Sequence, residues 1–94
     1  MSIESAGPYR ARHILVRHEF EANDLLAKLK RGEEFEKLAQ DFSLCPSGKQ
    51  GGDLGEFPKG RMVPAFEKAL LGLKPNEVSG AVRTQFGYHL IKRL

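Results

Sequence analysis

The chain has 94 residues, 40% hydrophobic and 29% charged, with a formal net charge of +3. That describes one small soluble domain, long enough for a single core but not for two. One cysteine excludes an internal disulfide, so the fold stands on packing and suits a reducing compartment. Residues 1–9 lack a charged head followed by an apolar run, and no apolar stretch approaches the roughly 20 residues that cross a bilayer. A cytoplasmic location without membrane attachment is therefore the expectation. The basic residues are spread from Arg10 to Arg93 among acids rather than gathered in a stripe, which argues against nucleic acid as the main partner.

Residues 1–8 read as a flexible leader ending in Gly7-Pro8, and the domain proper as 9–94. Residues 9–17 predict a strand whose continuous apolar centre, Ile14-Leu15-Val16, suits burial on both faces. His13 and Leu15 share one face; Arg12, Ile14 and Val16 share the other. His18, just past the strand, is expected at the surface. Helical spacing follows over 19–31, with Ala22, Leu25, Leu26 and Leu29 on one side and Gly32 as the stop. A second helix is expected over 33–42, burying Phe35, Leu38, Ala39 and Phe42.

The stretch 45–66 is unlike the rest. It holds the only cysteine, three prolines and the glycines Gly48, Gly51, Gly52, Gly55 and Gly60, yet also Leu54, Phe57, Met62 and Phe66. Glycine lets a backbone turn or approach a ligand closely, and a long irregular connection in a small domain is usually functional or disordered. The large apolar residues argue against disorder, so the stretch reads as the wall of a binding site.

Pro64 opens a third helix running to about Leu71, with Phe66, Ala69 and Leu70 inward and Gly72 ending it. Pro75-Asn76 fits the centre of a type II turn, whose second position takes a positive φ. Residues 78–82 predict a short strand interrupted by Gly80. Residues 88–94 form the last strand, with Tyr88, Leu90 and Lys92 on one face and His89, Ile91 and Arg93 on the other. This order gives an α+β domain with a mainly antiparallel sheet, its first and last strands in the middle and helices on both faces.

If those two strands pair, His13 and His89 lie side by side, each supplying a partner for a buried ring nitrogen of the other. Taken alone, such a pair is more often structural than catalytic. Cys45 reads most simply as a small, partly apolar residue: no hydrolase signature surrounds it, and no close pair of zinc ligands accompanies it. Gly48-Lys49 is not a phosphate loop, because Ser43 stands where the first glycine belongs and Gln50 follows the lysine. Asp53 reads as a turn residue rather than an acid catalyst.

His-Ile-Leu-Val at 13–16, Gly-Gly-Asp-Leu-Gly-Glu-Phe at 51–57, Met-Val-Pro-Ala-Phe at 62–66 and Thr-Gln-Phe-Gly-Tyr-His at 84–89 together resemble the parvulin family. Each motif alone is weak; four in order, with Cys45 just ahead of the glycines, make a specific signal over nearly the whole chain. The resemblance implies a four-stranded antiparallel sheet surrounded by four helices, an FKBP-like superfold, with the fourth helix a short one near 46–51. It implies a cofactor-free and metal-free peptidyl-prolyl cis/trans isomerase, monomeric, acting on proline-containing peptides and folding proteins. Leu54, Met62, Phe66 and Phe86 would hold the proline ring. His13, Cys45, Thr84 and His89 would form the polar floor, with Cys45 a polarisable neighbour of the imide. The loop after the first strand, Arg17-His18-Glu19-Phe20-Glu21, lacks the basic cluster of the phosphate-selective branch, so phosphorylated substrates should gain no advantage. A peptide-holding chaperone without isomerase activity is the alternative reading.

Overall fold

A computed structural model describes residues 8–94. Its elements are β1 (Tyr9–Val16), α1 (Glu19–Lys30), α2 (Phe35–Phe42), a short 3-10 helix (Pro46–Gln50), β2 (Asp53–Phe57), α3 (Pro64–Leu71), β3 (Val82–Thr84) and β4 (Gly87–Arg93). The α+β architecture expected from the sequence is present, its four helices being three α-helices and one 3-10 helix. The leader proposed for residues 1–8 lies outside the described residues except for Pro8.

All four strands form one antiparallel sheet in the order β2-β1-β4-β3, so the first and last strands occupy the centre. Alternation along β1 and β4 then fills two cores. Ile14, Val16 and Leu90 pack under α1 and α2 with Ala22, Leu25, Phe35, Leu38 and Ala39. Tyr9, Ala11 and Ile91 pack on the other face with Phe57 and with Phe66 and Leu70 of α3. Fully burying one such large apolar side chain is worth about 1.5–3 kcal/mol, so these two clusters carry the stability.

Three expectations change. Phe42 does not complete the buried stripe of α2: it stands at the last turn, 47% exposed, with the Lys28 ammonium 5.8 Å from its ring centre. β3 occupies Val82–Thr84 rather than 78–82. Val78 makes only an isolated bridge to Lys92, and the register slips by one residue before Val82 meets His89. Ser79 causes the interruption, because its hydroxyl accepts the Ile91 N–H at 3.0 Å in place of a backbone carbonyl. Helix α2 begins at Phe35, two residues later than its acids suggested. The turn at Pro75-Asn76 is as expected, with Asn76 at φ 71° and the Glu77 N–H bonded to the Lys74 carbonyl.

β2 runs through the glycine-rich stretch and carries a bulge. Arg10 faces Glu56, but Arg12 faces Asp53, so one extra residue sits on the β2 side. Gly55 takes φ 69°, and its N–H donates to the Asp53 carboxylate at 2.8 Å, the turn role predicted for that aspartate. Without the extra residue Leu54 would follow Glu56 to the outer face. The bulge aims it instead toward Met62 and Phe66.

Gly52 sits where β1 and the 3-10 helix meet, at φ 84°, and a Cβ there would overlap the His13 carbonyl oxygen. Gly55 shares the left-handed conformation but has open space around it. Gly52→Ala should therefore destabilise the fold by at least about 3 kcal/mol, conformational cost plus clash, and Gly55→Ala by about 1 kcal/mol. Denaturant midpoints of the two variants check this; equal losses would contradict it.

Candidate active site

The register of the central strands builds the site. Leu15 faces His89 and His13 faces Ile91, which sets the two histidines diagonally on the α3 side of the sheet. Their rings stack at 18° with centroids 5.2 Å apart, and the two Nδ1 atoms are 3.0 Å apart. His13 Nε2 is 3.1 Å from the Ser47 hydroxyl, and His89 Nε2 is 2.8 Å from the Thr84 hydroxyl. Thr84 Oγ1 also accepts the Phe86 N–H at 3.1 Å. All four ring nitrogens are thus engaged, along a continuous line from Ser47 through both imidazoles to Thr84.

Both histidines are buried, and Phe66 lies edge-on to each, at 5.7 Å from His13 and 5.5 Å from His89. Burial disfavours the charged form. It pushes His13 down from 6.5 to about 4, with the neighbouring His89 adding to the effect, and burial lowers His89 as well. One proton fits between the two Nδ1 atoms. A doubly charged pair would aim two N–H groups at each other, and burial, which lowers both imidazoles from 6.5, favours the neutral pair near pH 7.

Above this floor lies a cleft of about 420 Å³ lined by His13, Leu15, Cys45, Leu54, Arg61, Met62, Val63, Phe66, Phe86 and His89. The four residues expected to hold the proline ring, Leu54, Met62, Phe66 and Phe86, all line it, and so do His13, Cys45 and His89. Thr84 stands behind His89. Phe66 is 2% exposed and belongs to the core as well, whereas Phe86, 58% exposed, forms a lip. Cys45 begins the 3-10 helix and is half-buried at the rim. Two other hollows, of about 260 and 380 Å³, lie near Val16 and Phe42 on the α1 side. Neither is served by the histidine pair.

Four residues of this region were missed in the sequence. Leu15 could have been found from its alternation with His13. Ser47 carries no sequence signal beyond a short polar side chain in Cys-Pro-Ser-Gly, and Arg61 and Val63 flank Met62 without any periodic mark.

Comparison with known proteins gives the family to which this site, an apolar cleft floored by a histidine pair on an antiparallel sheet, belongs. Residues 13–94 match the rotamase family described as the PPIC-type PPIase domain. The chain is 52% identical over 90 residues to the foldase protein PrsA of Caldanaerobacter subterraneus, and 46% identical over 89 residues to a parvulin-like PPIase of Rickettsia conorii. These matches cover 95% and 90% of the chain but only 29% and 32% of those proteins, so the chain spans about a third or less of their length. The solution structure of the parvulin NmPin from Nitrosopumilus maritimus superposes with a TM-score of 0.84 at 44% identity, covering 95% of this chain and 97% of that one. The crystal structure of PrsA from Bacillus anthracis gives 0.92 at 42% identity, over 95% of this chain and 42% of that one. The chain belongs to the parvulin family of PPIC-type peptidyl-prolyl isomerase domains.

The depressed His13 ties stability to pH. A base whose pKa falls on folding takes up more protons in the unfolded chain, so its contribution is complete above about 6.5 and is lost as pH falls toward 4. The full drop corresponds to on the order of 3 kcal/mol. Denaturant midpoints should be level from pH 8 to 6.5 and decline between 6.5 and 5, where carboxylates are still ionised. Imidazole nitrogen shifts should show His13 uncharged at pH 5.5; a charged ring there would contradict the assignment.

Proposed function

We propose that the chain is a peptidyl-prolyl cis/trans isomerase that lowers the barrier to imide rotation without covalent chemistry. One observation carries this reading: the apolar walls Leu54, Met62, Phe66 and Phe86 meet the neutral pair His13–His89 and Cys45 in a single cleft. Family membership supports it. The substrates are Xaa-Pro segments of peptides and folding proteins, in keeping with the foldase name of the PrsA relatives. In this reading the chain acts as a monomer.

Rotation about the imide meets a barrier of about 18–20 kcal/mol and takes tens of seconds or more uncatalysed. Removing about 4 kcal/mol gives roughly a thousandfold acceleration. Twisting the imide breaks its resonance, leaving a less charge-separated carbonyl and a more amine-like nitrogen. An apolar cleft disfavours the polar planar form more than the twisted one, which is selective stabilisation of the transition state. Holding the proline ring while the preceding carbonyl turns adds positioning. The histidines do not act as acid or base: all four ring nitrogens are spent on Ser47, on each other and on Thr84. Their part is to keep the floor rigid and uncharged. Cys45 acts as a polarisable neighbour at the rim.

Two-dimensional exchange NMR on a short Xaa-Pro peptide with catalytic amounts of protein tests the activity directly. A peptide that binds in the cleft but exchanges no faster would leave a holding chaperone as the reading. Cys45→Asp should keep much of the activity that Cys45→Ala loses; a covalent role would leave both dead. Met62→Ala, at a half-buried wall, should lower kcat/KM by roughly tenfold, since about 1–2 kcal/mol of apolar contact is removed, with little change in Tm.

A further inference from the structure

Arg12 faces away from the cleft, on the side of β1 opposite His13, yet its guanidinium grips the segment that supports the site. Nη1 donates to the carbonyls of both Gln50 and Gly51, each at 3.2 Å. Nε lies 3.6 Å from the Glu36 carboxylate on α2, and the Arg12 side chain is only 21% exposed. Those two carbonyls end the 3-10 helix Pro46–Gln50. A cation there meets the partial negative charge of the helix terminus, and a partly buried charge-assisted bond is stronger than a neutral one. The fit is close. A Cβ at position 51 would lie 2.8 Å from Arg12 Nη1 and 2.9 Å from Glu36 Cβ.

The same short helix carries the groups that face the histidines. Cys45 opens it, and the Ser47 hydroxyl meets His13 Nε2 at 3.1 Å. The Ser47 carbonyl accepts the Gly52 N–H at 2.9 Å, and the Gly52 carbonyl accepts the His13 N–H at 3.0 Å. Two successive residues of β1 therefore hold one five-residue helix from two sides, Arg12 at its end and His13 through Ser47. A helix this short has few bonds of its own, and its placement against the strand comes from such contacts.

We propose that Arg12 is a positioning residue of the site, acting through the 3-10 helix on the Ser47–His13 contact and on the place of Cys45 at the rim. The Arg12 guanidinium bonds to Gln50, Gly51 and Glu36, none of which lines the cleft, so it sets geometry and not substrate affinity. The proposal rests on the isomerase reading. A displacement of an ångström at a reacting group costs up to a hundredfold in rate, so a partial loosening of this clamp should cost on the order of tenfold.

The test compares Arg12→Ala, Ser47→Ala and the double variant by exchange NMR on one Xaa-Pro peptide, with folded fraction measured in the same buffers. Arg12→Ala should lower kcat about tenfold with KM unchanged and should shift the His13 ring nitrogen signals. The double variant should be no slower than the slower single one, because both changes act through one contact. Arg12→Lys keeps the charge but cannot bond both carbonyls and Glu36 at once, so it should show the same kcat loss in a more stable protein. Multiplying losses in the double variant, unchanged kcat in a folded Arg12 variant, or a loss that vanishes after correction for the folded fraction would each overturn the proposal. No catalysis by the unaltered protein on any Xaa-Pro peptide would instead overturn the isomerase reading on which it rests.

Discussion

Antiparallel pairing of β1 with β4, with Leu15 set against His89, is the constraint from which the cleft follows. A slip of one residue would turn His89 to the α1 side, into a core of Ile14, Leu25 and Leu38 that offers an imidazole no partner. The observed register places both rings on the α3 side, each within reach of the other and of one hydroxyl. Buried polar groups are tolerated when all of them are paired, and a fully paired network stiffens what surrounds it. Among the described residues no buried side-chain nitrogen or oxygen lacks a hydrogen-bond partner.

Phe66 makes the core and the cleft continuous. Its ring belongs to the cluster under α3 while touching both imidazoles edge-on. The pocket floor is therefore as ordered as the hydrophobic core beneath it, and a ligand meets a preformed surface. The walls differ. Leu54 arrives through the bulge in β2, Met62 on the loop before α3, and Phe86 at the tip of the β3–β4 hairpin. A floor and separately mounted walls of this kind would suit the proposed rotation, in which one ring is held while the neighbouring carbonyl moves.

Much of this was legible in the sequence because its signals are periodic. The apolar runs of β1 and β4, the helical stripes of α1 and α3, and the shared face of His13 with Leu15 all rest on repeats of two or 3.6 residues. What escaped is set by partners far along the chain. The bulge at Asp53-Leu54-Gly55 exists only relative to Arg10 and Arg12, and the break before β3 only relative to Ile91 and Lys92. Phe42 fits the stripe of α2 by spacing but stands at the helix's last residue, half exposed beside Lys28. Ser47 became visible only when the fold brought His13 to it. The four pocket side chains were recognisable through resemblance to the parvulins; by hydrophobicity alone they would have passed for ordinary core, which Phe66 in fact also is.

Thr84 has a narrow remit. Its single oxygen meets His89 on one side and receives the amide of Phe86 on the other, so the hairpin tip and the imidazole pair hang on one atom. Cysteine would offer a longer, weaker acceptor, valine none, and asparagine a carbonyl set one bond too far out. Only serine reproduces the reach and the dual capacity, which leaves this position an alphabet of two letters.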